Sequence, residues 1–227
     1  MEVVWFGLAI VLVGFSNAVM LRSGGWGRYP FLFLYLLVGL VFQVTGLVIY
    51  THGGGSGSHR YIMEYWTSDV VLHGLLFLAL LFLIREALVG NRGPDISTFM
   101  IVAPLVTFVG VTLYLLYNPQ VSGRGWIFPL SRNLSFIEEL LNFVLWTILI
   151  RNRSRDVILL LVSAGLGIQV TGEVIGRTIR LYTDSPSISW LPDAIVLLCE
   201  AAALLIWYRA FRAYGRQRAE SRPSPAI

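Results

Sequence analysis

The chain contains no lysine, because all 17 of its basic residues are arginine. A cofactor held as a lysine Schiff base, such as retinal, is therefore excluded. The single cysteine, Cys199, leaves no partner for an internal disulfide and no thiolate cluster for a metal ion. Cys199 lies in an apolar run, where we expect it to act as a small buried hydrophobic residue.

Charge of either sign is also scarce. Charged residues make up 13% of the 227-residue chain, whereas about a quarter is usual for a soluble domain. Hydrophobic residues make up 56%, and the mean hydropathy is +0.71. This composition indicates an integral membrane protein whose first partner is the lipid bilayer.

Seven apolar runs are long enough to cross a hydrocarbon layer of about 30 Å, which takes roughly 20 helical residues. The runs are continuous and do not alternate, which favours helices over a barrel. The first run follows no basic leader, so we expect it to be retained and not cleaved as a signal peptide. We therefore predict an all-α, seven-transmembrane-helix bundle with spans at 3–21, 31–50, 69–89, 98–117, 135–151, 157–176 and 193–213.

Arginine is distributed unevenly between the two ends of this predicted bundle. If the spans alternate in direction, one end carries 12 of the 17 arginines, and the other carries only Arg60, Arg124, Arg132, Arg177 and Arg180. The positive-inside rule then places the C-terminus in the cytoplasm and the N-terminus outside, in a multi-pass protein of the inner (cytoplasmic) membrane. The arginines indicate contact with anionic lipid, and no nucleic-acid partner is predicted. Residues 214–227 are predicted to form a basic, disordered cytoplasmic tail.

Two segments of the chain are nearly the same. Residues 39–49 match residues 165–175 at eight of 11 positions, including a Gln, a Thr and two Gly in apolar surroundings. The matching glutamines are Gln43 and Gln169. Shared hydrophobicity alone explains such a match poorly, so the chain is predicted to be internally duplicated.

The similarity continues beyond these segments, since Trp66 and Asp69 are matched by Trp190 and Asp193. We predict one transmembrane domain, 1–213, with a first repeat at about 3–89, a connector helix at 98–117 and a second repeat at about 135–213. Corresponding helices point the same way in this 3+1+3 arrangement, so a pseudo-two-fold axis along the membrane normal would relate the repeats.

This organisation resembles the SWEET and PQ-loop transporters in length, topology and repeat pattern. The proline motifs of those transporters are not present in the predicted helices. The dipeptide Pro119-Gln120 falls between predicted helices and not within one. The chain also resembles a group of uncharacterised small seven-helix bacterial membrane proteins, through Arg28-Tyr29-Pro30 at the entry to the second span. The transporter resemblance implies a solute site between the repeats, and the second resemblance implies no function.

Gln43 and Gln169 are predicted to lie near the pseudo-two-fold axis. They could bind a polar solute as a pair, or they could form interhelical hydrogen bonds that only determine packing. Such bonds contribute about 0.6–2 kcal/mol in membranes, which is enough for packing. Both interpretations stay open.

Three ionisable residues, His73, Glu173 and Glu200, stand where the other repeat has leucine. Ionisable groups inside a membrane are costly and commonly functional. We expect all three to converge with the glutamines on one outward-facing, water-accessible cavity. The alternative for Glu173 is a local ion pair with Arg177, one turn away.

Other polar residues have simpler interpretations. Asp69 precedes His73 by four residues but is predicted to be a helix cap. Ser135 and Glu138 fit a capping box at the start of the fifth span. The spacings match no strong metal motif, so neither a metal ion nor a cofactor is predicted, and no catalytic motif is present.

The residues thus predict a membrane protein that binds or transports a small polar solute through an outward-facing cavity lined by Gln43, His73, Gln169, Glu173 and Glu200. The alternative is a structural, accessory or sensor subunit of a membrane complex, without transport or catalytic activity. Homo-oligomers and larger complexes are compatible with the sequence.

Overall fold

The computed structural model describes residues 2–52, 55, 58–88, 127–151, 156–182 and 190–220, and these residues are all-α. Six α-helices and one short 3-10 helix are present in these ranges. They are α1 (Glu2–Ser23), η1 (Gly25–Gly27), α2 (Pro30–His52), α3 (His59–Leu88), α4 (Ile127–Arg151), α5 (Val157–Tyr182) and α6 (Leu191–Glu220).

Five of the described helices, α1, α2, α3, α5 and α6, are long and apolar enough to cross a membrane. The chain is therefore compatible with a multi-pass membrane protein in a lipid bilayer. The fifth predicted span is helical within α4, which does not belong to these five. The fourth predicted span, 98–117, lies outside the described residues.

Three helix boundaries differ from the predicted spans by seven residues or more. Helix α3 begins at His59 and not at 69, so the interpretation of Asp69 as a helix cap is wrong. Helix α4 begins at Ile127, which places Ser135 and Glu138 inside the helix and makes the capping box wrong as well. Helix α6 continues to Glu220, through residues assigned to the tail, and residues 221–227 lie outside the described ranges.

The described helices form a closed ring. Each helix packs against the next one in the chain, and α6 packs against α1. The end of the bundle where α1 meets α2 also holds the C-termini of α3, α4 and α6 and the N-terminus of α5. We call it the Arg28 end, after the residue that joins several helices there.

Helices α5 and α6 pack closely because glycines of α5 face large side chains of α6. A Cβ at Gly165 would lie 2.3 Å from Nε1 of Trp207, and a Cβ at Gly172 would lie 2.3 Å from Cβ of Cys199. The space at Gly165 allows the Trp207 indole to donate a hydrogen bond to the Val162 carbonyl at 3.0 Å. Small residues at such positions are typical of membrane helix pairs.

The outer surface of α2 is apolar. Its exposed large side chains follow a spacing of three and four residues, which places them on one helical face: Leu34, Leu37, Val41, Val44 and Val48. Polar side chains within α1 bond to their own helix, because Ser16 and Asn17 donate to the carbonyls four residues earlier at 3.0 Å. The apolar outer face of α2 suits a helix in contact with lipid, while Oδ1 of Asn17 is buried in α1 without a hydrogen-bond partner among the described residues.

Arg28 joins four segments at its end of the bundle. Its guanidinium forms an ion pair with Asp156 at the start of α5, lies 3.7 Å from a carboxylate oxygen of Glu86 in α3, and stacks over the ring of Tyr214 in α6. Burial alone would lower the pKa of Arg28, but Tyr29, Asp156 and Glu86 together raise it. Arg28 is therefore charged at neutral pH.

Candidate functional site

A small cavity lies in the middle of the bundle, among α1, α2, α3, α5 and α6. We call it the central cavity, and its volume is about 40 Å³. Apolar residues form most of its wall, and its polar lining consists of two amides, a phenol and a carboxyl group. The lining residues are Val13, Tyr35, Leu36, Gly39, Gln43, Leu72, Gln169, Glu200, Leu204 and Trp207.

Gln169 extends from the middle of α5 into this cavity and is only 5% exposed. Its Nε2 donates a hydrogen bond to the hydroxyl of Tyr35 in α2. Its carbonyl oxygen, Oε1, is buried without a hydrogen-bond partner among the described residues. A buried acceptor of this kind costs about 1–3 kcal/mol unless a water or a ligand satisfies it.

Glu200 brings an acidic group to the same cavity from the first third of α6. Among the described residues that line the cavity, none is an arginine, lysine or histidine. Within the described ranges, no ion pair reaches the Glu200 carboxyl group. Another carboxyl group acts on it, because Glu173 interacts electrostatically with both Glu200 and Tyr35.

A second polar group lies next to the cavity, where α3, α4 and α5 meet. His73 and Glu138 occupy the middle of their helices and are 4% and 0% exposed. Residues from all three helices surround the imidazole within hydrogen-bonding or ion-pairing distance. We call this set the charge cluster, and it comprises Asp69, His73, Ser135, Glu138, Glu173 and Arg177.

The imidazole of His73 contacts groups from all three helices. Nε2 lies 2.7 Å from the guanidinium of Arg177, and Nδ1 lies 2.8 Å from a carboxylate oxygen of Glu138. Carboxylate oxygens of Asp69 and Glu173 lie 3.6 Å and 3.4 Å from Nε2. Arg177 and His73 are the basic groups of the cluster.

The structure divides the five predicted site residues between these two places. Gln43, Gln169 and Glu200 line the central cavity. His73 and Glu173 do not line it and belong to the charge cluster instead. The single cavity that we expected for all five residues is therefore two adjacent polar regions.

The alternative for Glu173 was a local pair with Arg177, whereas the described contacts of both side chains reach another helix. Arg177 donates to an oxygen of Asp69 at 2.8 Å, which connects α5 to α3. Glu173 points towards His73. The ion pair therefore holds two helices together and does not lie within one helical turn.

Two residues of these regions were missed from the sequence. Tyr35 lies in an apolar run with no local signal of a polar role. Glu138 did leave a signal, because Ser135, Glu138 and Asn142 are spaced three and four residues apart. All three side chains are buried, at 3%, 0% and 6% exposure. The spacing therefore indicated one polar face of α4 that points into the bundle.

In the part of the chain that the structure describes, no group of three His, Cys, Asp or Glu side chains is arranged to hold a metal ion. In the charge cluster, the guanidinium of Arg177 occupies the space beside Nε2 that a cation would need. The arrangement supports hydrogen bonding and proton exchange.

The chain was compared with protein-family models, curated proteins and solved structures. No family model, curated protein or solved structure matches it. Function therefore has to be argued from the central cavity and the charge cluster themselves.

Proposed function

We propose that the chain is an integral membrane protein that binds a small polar solute in the central cavity and moves it across the bilayer. The observation that carries this proposal is that Gln43 and Gln169, at corresponding positions of the predicted repeat, line the same cavity. Residues that serve only to pack their own repeat would not need to meet at one space. An unsatisfied acceptor and an unpaired carboxyl group in that space favour a polar ligand.

The order of helix contacts supports a duplicated arrangement. A two-fold axis that exchanges α1 with α4, α2 with α5 and α3 with α6 converts each neighbouring pair of the ring into another neighbouring pair. The corresponding glycines behave alike, because Gly39 of α2 faces Leu72 of α3 and Gly165 of α5 faces Trp207 of α6. In this proposal the segment 98–117 connects the two halves and completes seven spans.

The volume of the cavity limits the size of the solute. About 40 Å³ holds roughly three water molecules, because each needs about 10–15 Å³ in this measure. A ligand of two to four non-hydrogen atoms fits such a space, whereas a hexose does not. The solute class of the sugar transporters, which the chain resembles in organisation, is therefore not the one that we propose.

The position of the polar groups supports access from one side. Glu200 lies in the first third of α6, and Gln43 lies past the middle of α2, so both are nearer the end opposite Arg28. With the predicted topology, that end faces outside and the Arg28 end faces the cytoplasm. The ion pair between Arg28 and Asp156 then closes the cytoplasmic end by joining the two halves, and its opening would expose the cavity to the other side.

Solute binding is tested on purified protein in nanodiscs, with formamide, urea and methylammonium as probes. Calorimetric titration gives the affinity, and proteoliposomes loaded with the same probes give the flux. We expect at least one probe to bind and to cross the membrane. Gln43→Leu and Gln169→Leu should each weaken binding by about tenfold, since a lost hydrogen bond in a buried site contributes about 1.4 kcal/mol.

The matched control is Gln217→Leu, which makes the same change at an exposed position of α6. It should leave binding and flux unchanged. Binding that is the same in wild type, Gln43→Leu and Gln169→Leu would refute the proposed pair. If no probe binds to the wild type, the accessory or sensor role that the sequence also allows replaces this proposal.

A further inference from the structure

The polar interior of the bundle contains more acidic than basic groups. In the described parts of the central cavity and the charge cluster, four carboxyl groups face one guanidinium and one imidazole. The carboxyl groups are those of Asp69, Glu138, Glu173 and Glu200, and the basic groups are those of Arg177 and His73. This imbalance bears on the class of solute that the proposed function requires.

The guanidinium cannot neutralise Glu200, because it is engaged elsewhere. Arg177 donates to Asp69 at 2.8 Å and to His73 at 2.7 Å. The imidazole of His73 is likewise held, by Glu138 at 2.8 Å. Glu200 is thus left in a cavity that no basic side chain lines among the described residues. It is partly exposed along the helix, but a carboxylate within a membrane is costly unless it takes a proton or a cation.

The other polar groups of the cavity can complete the coordination of a cation. Gln169 is 5% exposed, and its buried Oε1 has no hydrogen-bond partner among the described residues. Its amide nitrogen is already used, because it donates to Tyr35. The residues that line the cavity therefore include both an amide with an unsatisfied carbonyl oxygen and a carboxyl group, and oxygen acceptors of this kind suit an ammonium group or an alkali ion.

We propose that Glu200 is a shared site for a proton and a small monovalent cation, so that the solute of this protein is cationic and its binding displaces a proton. This inference rests on the proposed function. The cation binds the Glu200 carboxylate and Oε1 of Gln169, the O–H bond of the protonated carboxyl group breaks, and the proton leaves to water. One charge enters as one charge leaves, so the site stays neutral in both states.

The groups that face Glu200 support this exchange. Among the residues that line the cavity, α1 and α3 contribute only apolar side chains, Val13 and Leu72, and α2 contributes the phenol of Tyr35. Helix α5 adds the negative charge of Glu173, which interacts with Glu200 and favours any positive ligand there. No facing group in the described ranges supplies the positive charge that would make a cation unnecessary.

Calorimetric titration of the full chain in nanodiscs with methylammonium chloride tests the inference. Titrations in two buffers with different ionisation enthalpies give the number of protons released. We expect close to one proton per cation at a pH where free Glu200 is protonated, and an apparent Kd that rises about tenfold for each unit by which the pH falls. Ammonium, sodium and potassium serve as smaller probes, and choline, which is too large for about 40 Å³, should not bind.

Variants of α6 locate the proton. Glu200→Gln should abolish proton release and weaken cation binding at least tenfold, while Glu200→Asp should keep proton release with weaker binding. Glu220→Gln makes the same change at an exposed position of the same helix and should change neither quantity. Retained thermal unfolding temperatures would show that each variant is folded, and Glu200→Asp keeps the test decisive if Glu200→Gln does not fold.

The outcomes separate this inference from the proposed function. If formamide or urea binds and depends on Gln43 and Gln169 while no cation binds, the cavity is a site for neutral solutes and the cation inference is refuted. Cation binding without proton release, or with full proton release in Glu200→Gln, would also refute it. Failure of every probe would refute the proposed function together with the inference.

Discussion

The glycine at position 172 is the sharpest test of how α5 and α6 pack. A Cβ added there would lie 2.3 Å from Cβ and 2.7 Å from Sγ of Cys199, and the first of these atoms cannot move without its backbone. Gly172→Ala should therefore force the helices apart and destabilise the protein by about 1–3 kcal/mol, the usual cost of overpacking.

Gly74→Ala is the matched control in α3, because a Cβ there meets nothing within 4 Å. Alanine forms helix more readily than glycine, so this control should be neutral or stabilising by up to about 1 kcal/mol.

Thermal unfolding in detergent, followed by tryptophan fluorescence, measures both effects. The double variant Gly172→Ala with Cys199→Gly tests the cause, because it removes the Cβ that the new methyl group meets. We expect the double variant to recover most of the stability that Gly172→Ala loses, apart from the roughly 1 kcal/mol cost of a helical glycine. The reasoning is refuted if Gly172→Ala unfolds at the same temperature as Gly74→Ala.

Three further changes have outcomes that the contacts define. Trp207→Phe removes the indole donor to the Val162 carbonyl and should destabilise the protein by about 1 kcal/mol in the same unfolding assay. Arg28→Gln breaks the partly exposed ion pair with Asp156, so it should speed amide hydrogen exchange at the start of α5. The loss of stability should be no more than about 1 kcal/mol. Unchanged hydrogen exchange would contradict the role given to the pair. Tyr35→Phe removes the acceptor of the glutamine amide in the cavity and should weaken solute binding several-fold without unfolding the protein.

Composition predicted the helical class correctly. The identity of Gln43 and Gln169 within apolar runs singled them out before any packing was known, and both line the cavity. Glu200 was found because it interrupts the repeat. Polar residues inside apolar helices are informative since their burial is costly, so few are retained without a partner or a purpose.

The assignment of partners could not be made from spacing. Glu138 fits a capping box in the sequence, yet its partner is His73, which lies 65 residues away in the chain. The local pattern and the tertiary contact use the same side chain, and only the fold decides between them. Arg177 likewise has Glu173 one turn away but bonds to Asp69 on another helix.

The start of α3 was misplaced for a different reason. Residues 59–68 are rich in polar and aromatic types, which lower the hydropathy and are typical of a loop or a membrane interface. The helix nevertheless extends through them and packs against α2, where the ring of Tyr61 meets the ring of Tyr50 edge-on at 5.7 Å between centroids. A hydropathy window does not detect such support from a neighbouring helix.

The order of helices around the ring could not be predicted from the sequence either, because helix faces towards lipid and towards the core are both apolar.

The most direct test of the central claim is whether Gln43 and Gln169 lie in one space that a small polar ion can enter. The native cysteine is first removed with Cys199→Ser, and Gln43→Cys, Gln169→Cys and Val41→Cys are then made separately in that background. Val41 is the control, because its side chain is 56% exposed on the apolar outer face of α2.

Silver ion is small enough for the cavity and bonds to thiols, and the unreacted fraction is measured by maleimide labelling after unfolding. The account predicts rapid reaction at positions 43 and 169, slowed by methylammonium or formamide, and slow reaction at position 41, where the thiol faces hydrocarbon. Reaction at positions 43 and 169 as slow as at position 41 would contradict it.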